Sequence, residues 1–393
     1  MKPGTVALAT LYAIIPLYGT LVALDPTRPP IPAVVPHRVA VLIGVVALAA
    51  LAGTVPAMRR AARRDALTAA FFAPGAATVL AAITGFDPAT GIGLGVLVTG
   101  VGGAGLAAAR DADAATLRVC LRALLWSALL ACALALAMQL THRPAAVYAY
   151  DNGRAVGTFL NPNELAAYAL ALLGVALPVA IVRREPLAVV TAVLLVAALA
   201  ATFSRWGLLC AVVGVGAFAW LARARAVLAA AVAVAVAGIA LNAVAGARHH
   251  NPRDTEARAV AWQTGITTFE RFPLLGVGPL AYGRTYDELR PPAAPGDRTA
   301  VAFDPHSLPL AFAAEGGIVA VVTLVGSYLV IFGLFLRTAR RAAVLPRMLA
   351  LGIAAGFVAL TVDCAINTIV LFFALGFQVV SLGLGIVRTD APA

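Results

Sequence analysis

Hydrophobic residues run in long blocks, broken by short clusters of arginine, proline and glycine. Many of these blocks approach the roughly 20 residues that a helix needs to cross about 30 Å of hydrocarbon. Cutting at the breaks predicts twelve spans, near residues 4–24, 38–58, 66–86, 91–109, 118–140, 159–182, 187–204, 206–222, 226–245, 307–336, 346–362 and 368–388. The expected fold class is therefore all-α, a polytopic membrane bundle forming one transmembrane domain over 1–393. A long loop at 246–306, containing short helices, joins the ninth and tenth spans, and a second loop covers 141–158. The first block follows only Met1-Lys2-Pro3 and has no small-residue cleavage site, so it reads as a retained span rather than a signal peptide.

Composition agrees with this pattern. The chain is 62% hydrophobic and 12% charged, against about 25% charged in soluble domains. Its net charge of +11 comes almost wholly from arginine, since Lys2 is the only lysine. No aromatic-interleaved basic patch or recognition motif accompanies that charge, so nucleic acid is not an expected partner. Sixteen arginines, among them Arg59, Arg60, Arg110, Arg183, Arg337 and Arg388, fall on the same side as Lys2. By the positive-inside rule that side is the cytoplasm, and both termini lie there. The other twelve arginines, with thirteen of the eighteen acidic residues, face outward. The four cysteines sit in apolar runs without CxxC spacing and support neither a disulfide framework nor a zinc site.

Outward arginines point to an anion. Arg205, in Ser204-Arg205-Trp206, stands in a break too short to be a loop, where a charge at a membrane boundary is costly; it reads as an anion-binding group or as an interfacial anchor that snorkels beside Trp206. A guanidinium can hold two phosphate oxygens at once. Arg258 lies on an expected amphipathic surface helix that ends by Arg271-Phe272-Pro273, because proline disfavours helical geometry in the residue before it. Gly276-Val277-Gly278-Pro279 is a bend that permits close backbone approach. His306 follows Asp304-Pro305 and precedes a helix that Ser307 caps and Pro309 opens. The helix dipole and neighbouring arginines favour its neutral imidazole, a proton acceptor. Glu164 and Asp304 are competing bases. Glu315, about 13 Å further along that helix, is expected to pair with a polar group inside the bundle. Asn161-Pro162-Asn163-Glu164 offers amides and a carboxylate to sugar hydroxyls, or serves as a plain helix cap. Asp111-Ala112-Asp113, in a short cytoplasmic turn, and His249-His250, without ligand partners at useful spacing, are set aside as metal motifs.

The order Gly157-Thr158-Phe159-Leu160-Asn161-Pro162-Asn163, Ser204-Arg205, Arg271-Phe272-Pro273-Leu274-Leu275-Gly276-Val277-Gly278 and His306-Ser307-Leu308 resembles the O-antigen ligase family over about residues 150 to 320. Ser307 departs from the asparagine that commonly follows the histidine there. The resemblance implies a glycosyltransferase of the bacterial inner membrane with a periplasmic active site and no cofactor or metal. It would transfer a glycan from undecaprenyl pyrophosphate, with inversion, to a hydroxyl of the lipid A core. Carried across by motif, His306 is the base and Arg205 and Arg258 grip the pyrophosphate, with Arg271 and Arg154 as further contacts. Asn161, Asn163 and Glu164 are the sugar-side candidates. A polysaccharide polymerase and a protein O-oligosaccharyltransferase share this chemistry. A lipid-linked glycan flippase is the alternative of another class.

Overall fold

The computed structural model describes residues 2–17, 37–143, 153–159, 161–223, 240, 253–291, 304–340, 342–365, 367 and 372–389. Among these residues the regular structure is helical throughout: α1 (Pro3–Ile14), α2 (His37–Ala61), α3 (Ala66–Thr84), α4 (Pro88–Arg110), α5 (Ala114–Thr141), α6 (Pro162–Arg183), α7 (Pro186–Ala201), α8 (Arg205–Leu221), α9 (Arg253–Arg271), α10 (Tyr282–Leu289), α11 (Leu308–Ala339), α12 (Val344–Cys364) and α13 (Phe372–Thr389). Seven of them, α2 to α6, α11 and α12, are long and apolar enough to cross a membrane. Helices α1, α7, α8 and part of α13 are shorter apolar segments. The chain is thus a multi-pass helical membrane protein in which a helix stands at eleven of the twelve predicted spans, although only seven reach full length. The ninth predicted span, apart from residue 240, and Arg248, His249, His250 and Arg298 lie outside the described residues.

Polar residues at the breaks fix where helices start. Asp65, Asp87, Asp113, Asn161 and Ser204 each cap the following helix by accepting a backbone N–H from its first turn, a bond worth about 1 kcal/mol. Ion pairs then gather one end of the bundle: Lys2 to Asp113 at 3.2 Å, Arg60 to Asp111 at 2.8 Å, Arg110 to Asp65 at 2.5 Å and Arg122 to Glu185 at 3.6 Å. The Arg110 hydrogen bond holds the Asp65 carboxyl down at about 2. Asp113 is held at about 2 chiefly by the Thr116 amide it caps, with Lys2 adding to this. Asp111 and Asp113 thereby have structural partners.

Small residues decide how closely the helices approach. Helix α12 lies against α6 and α8. A Cβ on Gly174 would stand 2.5 Å from the Gly352 carbonyl, and one on Gly214 would stand 2.8 Å from Ala359 Cβ. Lipid tails are as apolar as leucine, so backbone proximity of this kind carries much of the packing between membrane helices.

Helix α11 is broken. Gly317 has φ 63° and ψ −163° inside it, which interrupts the hydrogen-bond ladder. The segment from Pro273 to Gly278 fills the gap. Val277 N–H donates to Ala314 O at 3.0 Å and Gly278 N–H to Glu315 O at 2.9 Å, while Ile318 N–H donates to Pro273 O at 2.8 Å. Cβ atoms on Gly276 and Gly317 would fall 2.3 Å from Glu315 and Leu274 backbone atoms, so glycine is required at both. On the far side Val277 O accepts Phe86 N–H at 2.9 Å, and a Cβ on Gly278 would lie 2.8 Å from Gly85 Cα. The close approach permitted by Gly276-Val277-Gly278 is therefore an approach to protein backbone. Arg284 reinforces the junction through Asp87 at 2.8 Å and the Phe86 carbonyl at 3.1 Å.

Gly352→Leu should overpack the α6–α12 crossing at a cost of about 1–3 kcal/mol, lowering the thermal midpoint of the detergent-solubilised protein. Gly326→Leu, at a glycine with open space around it, should leave the midpoint within about a degree of the parent. Equal midpoints for both variants would contradict the crossing.

Candidate active site

The end of the bundle opposite the ion-paired one carries most of the candidate residues. Helix α7 stops at Ala201 and α8 begins at Arg205, the reversal being made by Thr202, Phe203 and Ser204 with Phe203 in the left-handed region at φ 49°. Ser204 Oγ accepts the Gly207 N–H and donates to Asn163 Oδ1, each at 3.2 Å. Arg154 donates from Nε to Thr202 O at 2.8 Å and from Nη2 to the same Asn163 oxygen at 3.2 Å. Ala155 N–H reaches Ala201 O at 3.0 Å. One amide oxygen therefore ties the 153–156 segment, the start of α6 and the start of α8 together.

Arg205 is exposed at the first position of α8. Helix N-termini carry partial positive charge, so a cation there is unfavourable by itself and the combination attracts an anion. Beside it, Trp206 Nε1 donates to Val362 O at 3.1 Å, which holds α8 to the end of α12. Next in α12 comes Asp363, fully buried, with Oδ1 accepting from Asn367 Nδ2 at 3.2 Å and Oδ2 without a hydrogen-bond partner among the described residues. Arg258, half-buried on α9, lies within electrostatic reach of Asp363. Glu164, buried in the first turn of α6, belongs to the same neighbourhood, since it and Asp363 both act electrostatically on Cys364.

His306 stands two residues before α11. Its φ of 49° is unusual for a side chain of this kind, and the conformation is held by the His306 N–H donating to Asp304 Oδ1 at 2.8 Å. The same carboxylate oxygen is 3.5 Å from His306 Nδ1. The imidazole is 44% exposed, open enough to meet a substrate. Helix α9 backs this turn closely, because a Cβ on Gly265 would lie 3.3 Å from Pro305 Cβ. Nearby, the Tyr282 hydroxyl donates to Ala261 O at 2.7 Å. Burial raises its phenol pKa, with Tyr286 and Asp304 adding to the effect.

The structure thus brings Arg154, Asn163, Ser204 and Arg205 together at the α6–α8 junction, and sets Arg258 within electrostatic reach of Asp363 at the end of α12. Asn161 Oδ1 caps α6 through the Asn163 N–H at 2.8 Å, so the Asn-Pro-Asn stretch does act as a helix cap. Arg271 is exposed at the end of α9, its guanidinium 5.9 Å from the Phe272 ring centre; no contact with the Arg205 group is present among the described residues. Glu315 does find polar partners inside the protein, and they are backbone groups. It sits at the α11 break, where its carboxylate accepts backbone N–H groups of Leu280 and Tyr282. Two features escaped the sequence reading. Asp363 falls just past the predicted end of its span, and the only sequence signal for it was an acidic residue four before Asn367. The Asp304–His306 contact depends on a turn that periodicity does not encode.

Residues 190–325 match a family model described as O-Antigen ligase. That segment runs from α7 into α11 and includes Arg205, Arg258, Arg271 and His306, but neither Arg154 nor Asp363. No curated protein matches the chain.

Asn163→Leu strips Arg154 and Ser204 of a shared acceptor and should cost about 1–3 kcal/mol, seen as a lower thermal midpoint. Asn161→Ala, which removes only the cap, should cost about 1 kcal/mol. An unchanged midpoint for Asn163→Leu would overturn the bracing role of its amide.

Proposed function

We propose that the chain is an O-antigen ligase-type membrane glycosyltransferase that moves a glycan from undecaprenyl pyrophosphate to a hydroxyl of the lipid A core, on the periplasmic face of the bacterial inner membrane. The observation that carries this reading is a cationic group and an Asp–His pair at one end of the bundle, both within the family-matched segment. Both requirements of the reaction are met there. A departing diphosphate needs positive charge fixed in advance, and an alcohol needs a base.

In the proposed step the acceptor oxygen attacks the anomeric carbon from the face opposite the diphosphate. The new C–O bond forms as the old one breaks, so the configuration inverts. Negative charge builds on the leaving phosphate oxygen, where Arg205, the α8 N-terminus and Arg258 lower its energy. Guanidinium groups already in position need little reorganisation as that charge develops. Asp363 serves to aim Arg258 before the donor arrives. Arg271 and Arg154 are further proposed diphosphate contacts; Arg154 also braces the junction behind Arg205. Asn163 and Glu164 line the sugar side.

His306 takes the acceptor proton. With Nδ1 facing Asp304, a proton held there leaves Nε2 as the acceptor, and the carboxylate stabilises the imidazolium that forms. General-base assistance of this kind is worth about 10²–10⁴-fold. A polymerase would use the same donor grip and base with a second lipid-linked glycan as acceptor.

His306→Ala should lower kcat by about 10²–10⁴-fold with little change in donor KM. Arg205→Ala and Arg205→Lys should both be impaired, because lysine cannot make the bidentate contact, and a chelator should leave the parent rate unchanged. The measurement is transfer from purified lipid-linked glycan, scored by glycan migration on a gel and by released undecaprenyl pyrophosphate. Lipid A core, further donor and a protein are offered as separate acceptors. Normal transfer by either alanine variant, or a strict divalent-metal requirement, would sink the mechanism, and glycan that stays on its lipid would identify a flippase instead.

A further inference from the structure

The proposed mechanism leaves Glu315 without a role, yet its surroundings are specific. Helix α10 starts at Tyr282 behind Ala281, whose side chain cannot cap it. The missing acceptor comes from another helix: Glu315 Oε1 on α11 receives the Tyr282 N–H at 3.3 Å, and the carboxylate also receives that of Leu280. Leu280 has φ 60°, outside the range a leucine ordinarily adopts, so the turn into α10 relies on these bonds. A carboxylate at a helix N-terminus is also favoured by the dipole.

The chain of contacts continues beyond α10. The Tyr282 hydroxyl donates to Ala261 O at 2.7 Å, and Ala261 is three residues, one helical turn, from Arg258 on α9. Tyr282, Tyr286, Ala261 and Ala314 form a separate buried cluster among the three helices. On α11 itself, Glu315 lies nine residues after His306. The same side chain is thereby joined to the element bearing the proposed base and, through Tyr282, to the element bearing a proposed diphosphate ligand.

We propose that Glu315 is a positioning residue that fixes α9 and Arg258 relative to α11 by capping α10 from outside. This rests on the reading above that Arg258 holds the diphosphate. The acceptor oxygen, rather than the negative charge, is the feature used, because backbone N–H groups are the partners. Glutamine should therefore serve and alanine should not.

The test uses full-length protein in lipid nanodiscs with unsubstituted undecaprenyl pyrophosphate as the binding probe, together with donor KM and kcat in transfer. Glu315→Ala should weaken binding and raise donor KM by about 10-fold, the scale set by the hydrogen bonds it removes, with a smaller change in kcat. Glu315→Gln should lie within about twofold of the parent, and Tyr282→Phe should reproduce part of the loss. In an Arg258→Ala background Glu315→Ala should add nothing, since the residue acts through that arginine. A full additional loss there, or a glutamine variant as weak as alanine, would overturn the proposal. Amide exchange supplies a readout that does not depend on the reaction: residues 253–271 should exchange faster in Glu315→Ala and Tyr282→Phe, and unchanged exchange would refute the clamp. If Arg258→Ala alone left binding intact while exchange rose as expected, the diphosphate reading would fail and the clamp would stand as a structural contact only.

Discussion

The arrangement depends on backbone groups that a broken helix cannot leave unpaired. In apolar surroundings each unsatisfied N–H or carbonyl costs several kcal/mol, so irregular backbone survives only where protein or water satisfies it. At Gly317 the satisfaction comes from the Pro273–Gly278 segment, which donates to Ala314 and Glu315 and accepts from Ile318. The break and the segment stabilise one another. Because Phe86 pairs with the same segment on its other side, helices α3, α4 and α11 meet at one strip of main chain. Any side chain at Gly276 or Gly317 would displace it, which explains in physical terms why glycines stand in both partners.

Docked in this way, the strip sets where the polar layer can lie. Helix α9 ends immediately before it and α10 begins just after it, so both short helices are held over the end of the bundle. Their inner faces meet in the cluster of Ala261, Tyr282, Tyr286 and Ala314. Arg258 and Arg271 on α9 lie outside that cluster. Arg258, half-buried, lies within electrostatic reach of the buried Asp363 carboxylate, whose hydrogen-bond partner is Asn367. Arg205 differs: it is exposed and stands at a helix start, where the local dipole adds to its charge instead of opposing it.

Much of this was legible in the sequence, and what was not has a common cause. Hydropathy located the helices, and Asp65, Asp87, Asp113, Asn161 and Ser204 marked their starts because a capping bond is local. The end of α9 at Arg271 followed from Pro273 in the same way. By contrast, Gly316-Gly317 directly follows Glu315 inside an otherwise apolar run that hydropathy reads as one continuous span. Its interruption becomes favourable only when a segment some forty residues earlier fills it. Asn163 looked like a sugar contact or part of a cap, and its position as the shared acceptor of Arg154 and Ser204 is a tertiary fact. The break between α7 and α8 was legible from Arg205, but the three-residue reversal that makes it, with Phe203 in the left-handed region, was not.

The distribution of the candidate groups over the architecture carries a further consequence. Arg205 belongs to the membrane bundle itself, fixed by Ser204, Asn163 and the Trp206 contact with α12. Arg258 and His306 belong to the layer held by the α11 break, the first on α9 and the second on the turn that α9 backs. A diphosphate held by both arginines would span these two bodies, so its binding would be coupled to how firmly the layer is docked. A mutation in the Pro273–Gly278 strip, far from any reacting atom, would then act on donor binding and on the approach of the imidazole together. Loss at the base alone would leave the donor grip unchanged, and that difference separates a defect of docking from a defect of chemistry.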